Sequence, residues 1–328
     1  MSLVTPDKIF EISNDHEFNV VALEIFEFQY QNTPVYRLFC DTIKKTPGNV
    51  EHYSQIPFLP IEFFKSHSVI AGNEKEAEIT FTSSSTTSSI PSKHFVKDIE
   101  IYEKSFMKCF ELFYGNCRDY VILALLPGYL ERQGSSLVYM FDKLIKQSGK
   151  ELSGFFLNDI SKLNNTIQIL KKENQKTILI GVTYALLDLA ETSPGLNENF
   201  IVMETGGMKG KRKEMVKEEL HNILKNGLHV NCIHSEYGMT ELLSQAYSKG
   251  QGIFECPPWM KVMIRDTEDP FSYVNDNKTG GINVIDLANV NSCSFIATGD
   301  LGRKNGESFE VMGRFDNSDI RGCNLMVE

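Results

Sequence analysis

Between residues 117 and 245, short apolar runs of strand length alternate with helical patterns, and this alternation constrains the fold more than any other feature of the chain. Tyr120 to Leu126 (YVILALL) precedes a helical period near Ser136 to Gln147. Thr177 to Val182 leads into Tyr184 to Glu191, Phe200 to Met203 precedes Lys211 to Asn226, and Val230 to His234 runs into Thr240 to Ser248. Strands joined by helical crossovers pair in parallel, and a parallel sheet needs cover on both faces. The chain reads as an α/β protein whose ligands sit at the carboxyl ends of its strands.

The flanks differ in character. Phe18 to Phe39 carries too many apolar positions for a solvated helix and reads as part of a packed helical layer. The run Ile56 to Lys65 (IPFLPIEFFK) holds two prolines that forbid a continuous helix, and it reads as a cap on the core or the wall of an apolar pocket. Beyond residue 250, Lys261 to Arg265, Gly281 to Leu287 and Cys293 to Ala297 are short strands between Gly, Asn and Asp turns. The expected organisation is an N-terminal helical layer over 1–75, an αβ subdomain with a phosphate loop over 76–250, and a β-rich subdomain with a mobile tail over 251–328.

Charge and cysteine usage narrow the function. A net charge of −10 disfavours nucleic acid and anionic membrane surfaces, because binding phosphates needs basic surface to release counterions. The first residues lack a basic, apolar leader, and the longest apolar run stops at Pro127-Gly128, far short of a membrane span; the chain reads as cytosolic. Seven cysteines without CxxC spacing argue for reduced thiols rather than a disulfide framework or a cysteine zinc site.

Four segments can carry chemistry. Thr82 to Ser89 (TSSSTTSS) followed by Ile90-Pro91-Ser92-Lys93 reads either as a flexible linker or, between the strand-like Ala77 to Phe81 and a helical pattern from Lys97, as a strand-to-helix loop whose hydroxyls and amides cradle a polyphosphate. Neither this run nor Gly206-Gly207-Met208-Lys209 fits GxxxxGK[ST]. In Glu236-Tyr237-Gly238-Met239-Thr240-Glu241, Thr240 reads as a helix N-cap, and Glu241 either holds Mg²⁺ or complements the helix dipole. Thr298-Gly299-Asp300 is ordinary turn chemistry or a carboxylate offered to a ribose. Gly313-Arg314 follows, and Arg314 can reach a ribose or a phosphate.

These four, in this order, resemble the adenylate-forming superfamily of acyl-CoA synthetases, luciferases and peptide-synthetase adenylation domains. IPFLPIEFFKSH, METGGMKGKRKEM and the tail DIRGCNLMVE are similar to the acyl-protein synthetases of bacterial luminescence fatty-acid reductase systems, the LuxE type. The resemblance covers roughly residues 50 to 328. It implies an adenylate-forming large domain with mostly parallel αβ-layered sheets and a β-rich C-terminal subdomain, lacking the small C-terminal domain of larger members.

The activity implied is ATP- and Mg²⁺-dependent activation of a carboxylic acid, fatty or otherwise apolar, as an acyl-adenylate, then transfer to a thiol. The resemblance sets Thr86, Thr87, Ser88 and Lys93 facing the phosphates, Glu241 on Mg²⁺ and Thr240 at the α-phosphate. Tyr237 and Gly238 then lie near the adenine, Gly206 and Gly207 line the purine slot, and Asp300 and Arg314 hold the ribose. Ser85 and Ser88 stand where the family loop has glycines. Cys323 occupies the place of the family's acyl-accepting cysteine, and Arg321 nearby would favour its thiolate; read from the residues alone, Cys323, Leu325 and Val327 also form one face of a short strand. The expected partners are a small carboxylic acid and an acyl-accepting reductase, a carrier protein or coenzyme A. A non-catalytic nucleotide-binding scaffold is the alternative from another class.

Overall fold

The computed structural model describes residues 4–84, 90–128, 134–206 and 215–315. The chain begins with helices α1 (Pro6–Phe10), α2 (Asp15–Asn32) and α3 (Pro34–Thr42). Asn14 caps α2 by accepting a hydrogen bond from the Glu17 amide, and Pro34, which has no N–H to donate, starts α3 rather than prolonging α2. Strand β1 (Leu59–Pro60) and helix α4 (Phe63–Ser66) follow, with Ile56, Phe58, Leu59 and Phe64 buried. The IPFLPIEFFK run thus caps a core.

Next come β2 (Ile79–Thr82) and β3 (Lys93–Val96), an antiparallel pair, then α5 (Ile99–Tyr114). The Ser/Thr run therefore lies between two antiparallel strands and not, as the sequence suggested, between a strand and a helix. The Ser83 amide donates to the Ser92 carbonyl at 3.1 Å and the Ser92 amide to Ser83 Oγ at 2.9 Å, which closes the base of that connection.

The alternating region contains β4 (Val121–Leu125), α6 (Ser136–Ser148), β5 (Gly154–Phe155), α7 (Ile160–Lys172), β6 (Thr177–Val182), α8 (Thr183–Glu191), β7 (Phe200–Thr205), α9 (Lys217–Leu228), β8 (His234–Tyr237), β9 (Ala246–Ser248) and β10 (Ile253–Phe254). One sheet runs in the order β5-β4-β6-β7-β8-β9, parallel throughout except for the last pair. Every residue of β4 and β6 is buried, as expected of strands covered on both faces. Packing is close enough that a Cβ at Gly181 would come within 2.9 Å of both Leu125 and Leu186.

The strand read at Val230 to His234 lies four residues later, and Thr240 to Ser248 is not helical: Leu242 to Ser248 is buried at every position and ends in β9. Thr240 is consequently no helix N-cap. The β5–α7 unit had no counterpart in the sequence reading.

Last come β11 (Met260–Arg265), β12 (Gly280–Asp286), β13 (Phe295–Asn305) and β14 (Ser308–Arg314), antiparallel neighbours in that order, with β1 running parallel beside β13. The chain forms two compact units, one from the segments before Ala77 and after Pro257, the other from Ala77 to Pro257. In the first, Phe26, Tyr36, Phe58 and Phe295 pack ring on ring, and the fully buried Gln29 donates to the Asn289 and Val290 carbonyls and accepts from the Ser294 amide. No helix among the described residues is long and apolar enough to cross a membrane.

Candidate functional site

In the second unit the chemistry gathers where β7 and β8 end side by side, with Glu204 opposite Ser235 and Thr205 opposite Glu236. The two glutamates are buried on adjacent strands and behave in opposite ways. Burial alone would push the Glu204 carboxyl up, but the Lys217 ammonium 2.8 Å away, with hydrogen bonds from His221 and Ser235, holds it at about 2. For Glu236 the balance reverses: burial, then the Glu204 charge, push it up to about 7, although the Thr205 hydroxyl donates to it at 2.5 Å and the Lys217 charge pulls the other way. One strand end thus carries an anion and the next a carboxyl that holds its proton near neutrality.

Tyr237 closes β8, buried and edge-on to Phe254. Gly238 follows, and a Cβ there would lie 2.4 Å from Glu236 Oε1, so any larger residue has to displace that carboxyl. The Met239 carbonyl then accepts from the Leu242 amide, so Thr240 and the buried Glu241 sit in a tight turn. His94, fully buried on β3, reaches this turn: its Nδ1 lies 2.7 Å from the Thr240 carbonyl, and because a carbonyl only accepts, Nδ1 carries the hydrogen. His94 therefore ties the strand bearing the exposed Lys93 to the turn bearing Glu241. Gly206, with φ of 69°, ends β7 and offers its carbonyl to the Thr183 hydroxyl at 2.7 Å.

In the first unit, the β12–β13 ladder pairs Gly281 with Leu301 and Asn283 with Ala297, so Thr298, Gly299 and Asp300 face the single residue Ile282. This bulge lifts the TGD segment out of the ladder. Arg314 stands directly across from Asp300 on β14, its Nε donating to Asp300 Oδ1 at 3.1 Å. The carboxylate is one-tenth exposed and the guanidinium 83% exposed, so the anion is fixed and the cation projects into solvent.

Thr86, Thr87, Ser88, Gly207 and Cys323 lie outside the described residues, as do Lys209, Arg212 and Arg321. Among the described residues no group of three or more His, Cys, Asp or Glu is placed to hold a metal. A hard cation at Glu241 would have one carboxylate from that turn and take further oxygens from phosphates or water, a donor set that suits Mg²⁺.

Residues 2–108 match the family model of the acyl-protein synthetase LuxE. No curated protein matches the chain in sequence. Among solved structures, a 2-hydroxyisobutyryl-CoA ligase in complex with 2-HIB-AMP and CoA aligns over 95% of this chain and 78% of its own, at 10% identity and a TM-score of 0.69. The same ligase in its postadenylation state aligns over 95% of this chain and 70% of its own, at 11% identity and TM-score 0.69. ATP-bound MatB from Rhodopseudomonas palustris aligns over 75% of this chain and 49% of its own, at 17% identity and TM-score 0.56. The fold is that of the adenylate-forming ligases. Within this adenylate-forming fold, three residues escaped the reading of the sequence. His94 and Glu236 were visible only as polar letters beside motif positions, and Arg265 as the last residue of a strand; burial and partners give them meaning.

Proposed function

We propose that the chain is an acyl-activating ligase: a carboxylate oxygen attacks the α-phosphorus of ATP, pyrophosphate leaves, and a thiolate then attacks the acyl carbon of the adenylate and releases AMP. The observation that supports this best is the fold shared along 95% of the chain with a CoA ligase that holds an acyl-AMP, joined to the LuxE match at residues 2–108. In this reading the Ser/Thr connection with Thr86, Thr87, Ser88 and Lys93 meets the phosphates, and the Thr240–Glu241 turn meets the α-phosphate and, through Glu241, Mg²⁺. Gly206, Gly207, Tyr237 and Gly238 border the adenine, while Asp300 and Arg314 take the ribose. Fixed donors and one anchored carboxylate act by preorganisation, meeting charge as it develops on the phosphates.

The acyl acceptor is a thiol. The resemblance of the tail DIRGCNLMVE to LuxE-type synthetases favours the protein's own Cys323, with a fatty acid as substrate and an acyl-accepting reductase downstream. Neighbours named as CoA ligases favour coenzyme A as a second reading. Exchange of radiolabelled pyrophosphate into ATP, with a panel of short, branched and long-chain acids, tests the activation step. Exchange that depends on one class of acid and on Mg²⁺ is expected; no exchange with any acid would overturn the proposal.

A further inference from the structure

The bulge that carries Asp300 has a cost in backbone hydrogen bonds, because three residues face one and the carbonyls of Ile282 and Thr298 fall out of the ladder. Arg265, at the end of β11, fills that gap. Its Nη1 donates to the Ile282 carbonyl and to Asn283 Oδ1, both at 2.8 Å, and its Nη2 donates to the Thr298 carbonyl at 2.6 Å. The Thr298 hydroxyl in turn donates to the Ile282 carbonyl at 2.8 Å and accepts from the Asp300 amide at 3.1 Å. A planar fork of donors suits acceptors on two strands, and the single ammonium of a lysine does not reproduce it.

Two more contacts bind the guanidinium to this place. It stacks over the Phe315 ring at 5.3 Å, and the Phe315 amide donates to the Gly299 carbonyl at 3.0 Å, so the far side of the bulge is held as well. Gly281 leaves the room: a Cβ there would lie 2.4 Å from Arg265 Cζ and 2.6 Å from Nε.

We infer that Arg265 is a positioning residue for ribose recognition, holding the Thr298-Gly299-Asp300 bulge so that the Asp300 carboxylate meets both ribose hydroxyls of the nucleotide. The inference rests on the ligase reading above and adds to it a residue outside the motifs. A carboxylate held this way discriminates ATP from 2′-deoxyATP and 3′-deoxyATP, because each deoxy analogue leaves one of its acceptor positions unmet.

The test measures kcat/KM for pyrophosphate exchange with ATP and with each deoxy analogue, in the wild type, Arg265→Lys and Gly281→Ala. The second variant displaces the guanidinium without removing it, and it keeps the test sound if the first folds poorly. For each protein the ratio between nucleotides is the readout, since loss of folded enzyme lowers both rates equally and leaves the ratio alone. Wild-type preference for ATP of about tenfold or more is expected, falling to within about threefold in both variants as the carboxylate loses its fixed position. Retention of the full preference in both variants overturns the role of Arg265 while leaving the ligase reading intact. Wild-type exchange without any preference overturns the ribose assignment of Asp300 and this inference with it, and no wild-type exchange with any acid overturns the ligase reading itself.

Discussion

Glu236 is the side chain whose titration the fold alters in a way that can be measured without knowing any substrate. Burial, then the neighbouring Glu204 charge, move its carboxyl from the ordinary 4.5 to about 7. Between those values the folded chain keeps a proton that the unfolded chain has released, so folding is favoured by low pH: the contribution is fully present below about 4.5 and is lost as pH rises through about 7. A difference of roughly 2.5 units at ~1.4 kcal/mol each amounts to ~3 kcal/mol over the window. Glu236→Gln replaces the carboxyl with a neutral amide of the same shape that can still accept from the Thr205 hydroxyl 2.5 Å away. Urea unfolding of both proteins at pH 5, 6, 7 and 8 isolates the effect, because His234, held at about 4 chiefly by burial, and every other titrating group cancel in the difference. Relative to the variant, the wild type is expected to lose ~2.5 kcal/mol from pH 5 to pH 8, the part of the window that the series spans. A difference that stays constant from pH 5 to pH 8 would mean that Glu236 is already ionised in the fold, and the account of its environment would be wrong.

The partner carboxylate gives the opposite sign. Lys217→Met strips the cation from Glu204, whose side chain is 4% exposed, and is expected to cost about 3 kcal/mol at pH 7; the deficit should shrink as pH falls from 4.5 towards 2, where Glu204 protonates. A deficit independent of pH in acid would argue that the loss is one of packing alone. Cys323→Ser separates the acceptors: loss of hydroxylamine-labile acyl label from the protein, with exchange unimpaired, is expected for self-acylation. Intact acyl-CoA formation by the variant would instead favour coenzyme A.

The parallel sheet was legible because β4 and β6 are uninterrupted apolar runs buried on both faces, a pattern that allows little else. The region after β7 misled for the same physical reason in reverse. β8 reads His-Ser-Glu-Tyr, polar letters that are nevertheless half to fully buried, whereas the more apolar Val230 to His234 region begins as an exposed connection. Thr240 to Ser248 places polar residues at helical spacing, but Ser244 and Gln245 are buried against α5, where Ser105 meets Ser244 Oγ at 3.0 Å and Cys109 donates to the Gln245 carbonyl. Those long-range partners make an extended segment tolerable, and no local pattern announces them. The motif residues Asp300 and Arg314 were legible as types; that they are cross-strand neighbours on a bulge follows from a register set 14 residues apart in the chain. Arg265 belongs to that register too, which is why its role is a property of the folded sheet alone.

The ligase proposal stands most directly on ribose recognition at the Asp300 bulge. A crystal structure with bound AMP or a non-hydrolysable acyl-adenylate analogue tests it directly. Both ribose hydroxyls are expected within hydrogen-bonding distance of the Asp300 carboxylate. A nucleotide bound away from the Asp300 bulge would contradict it.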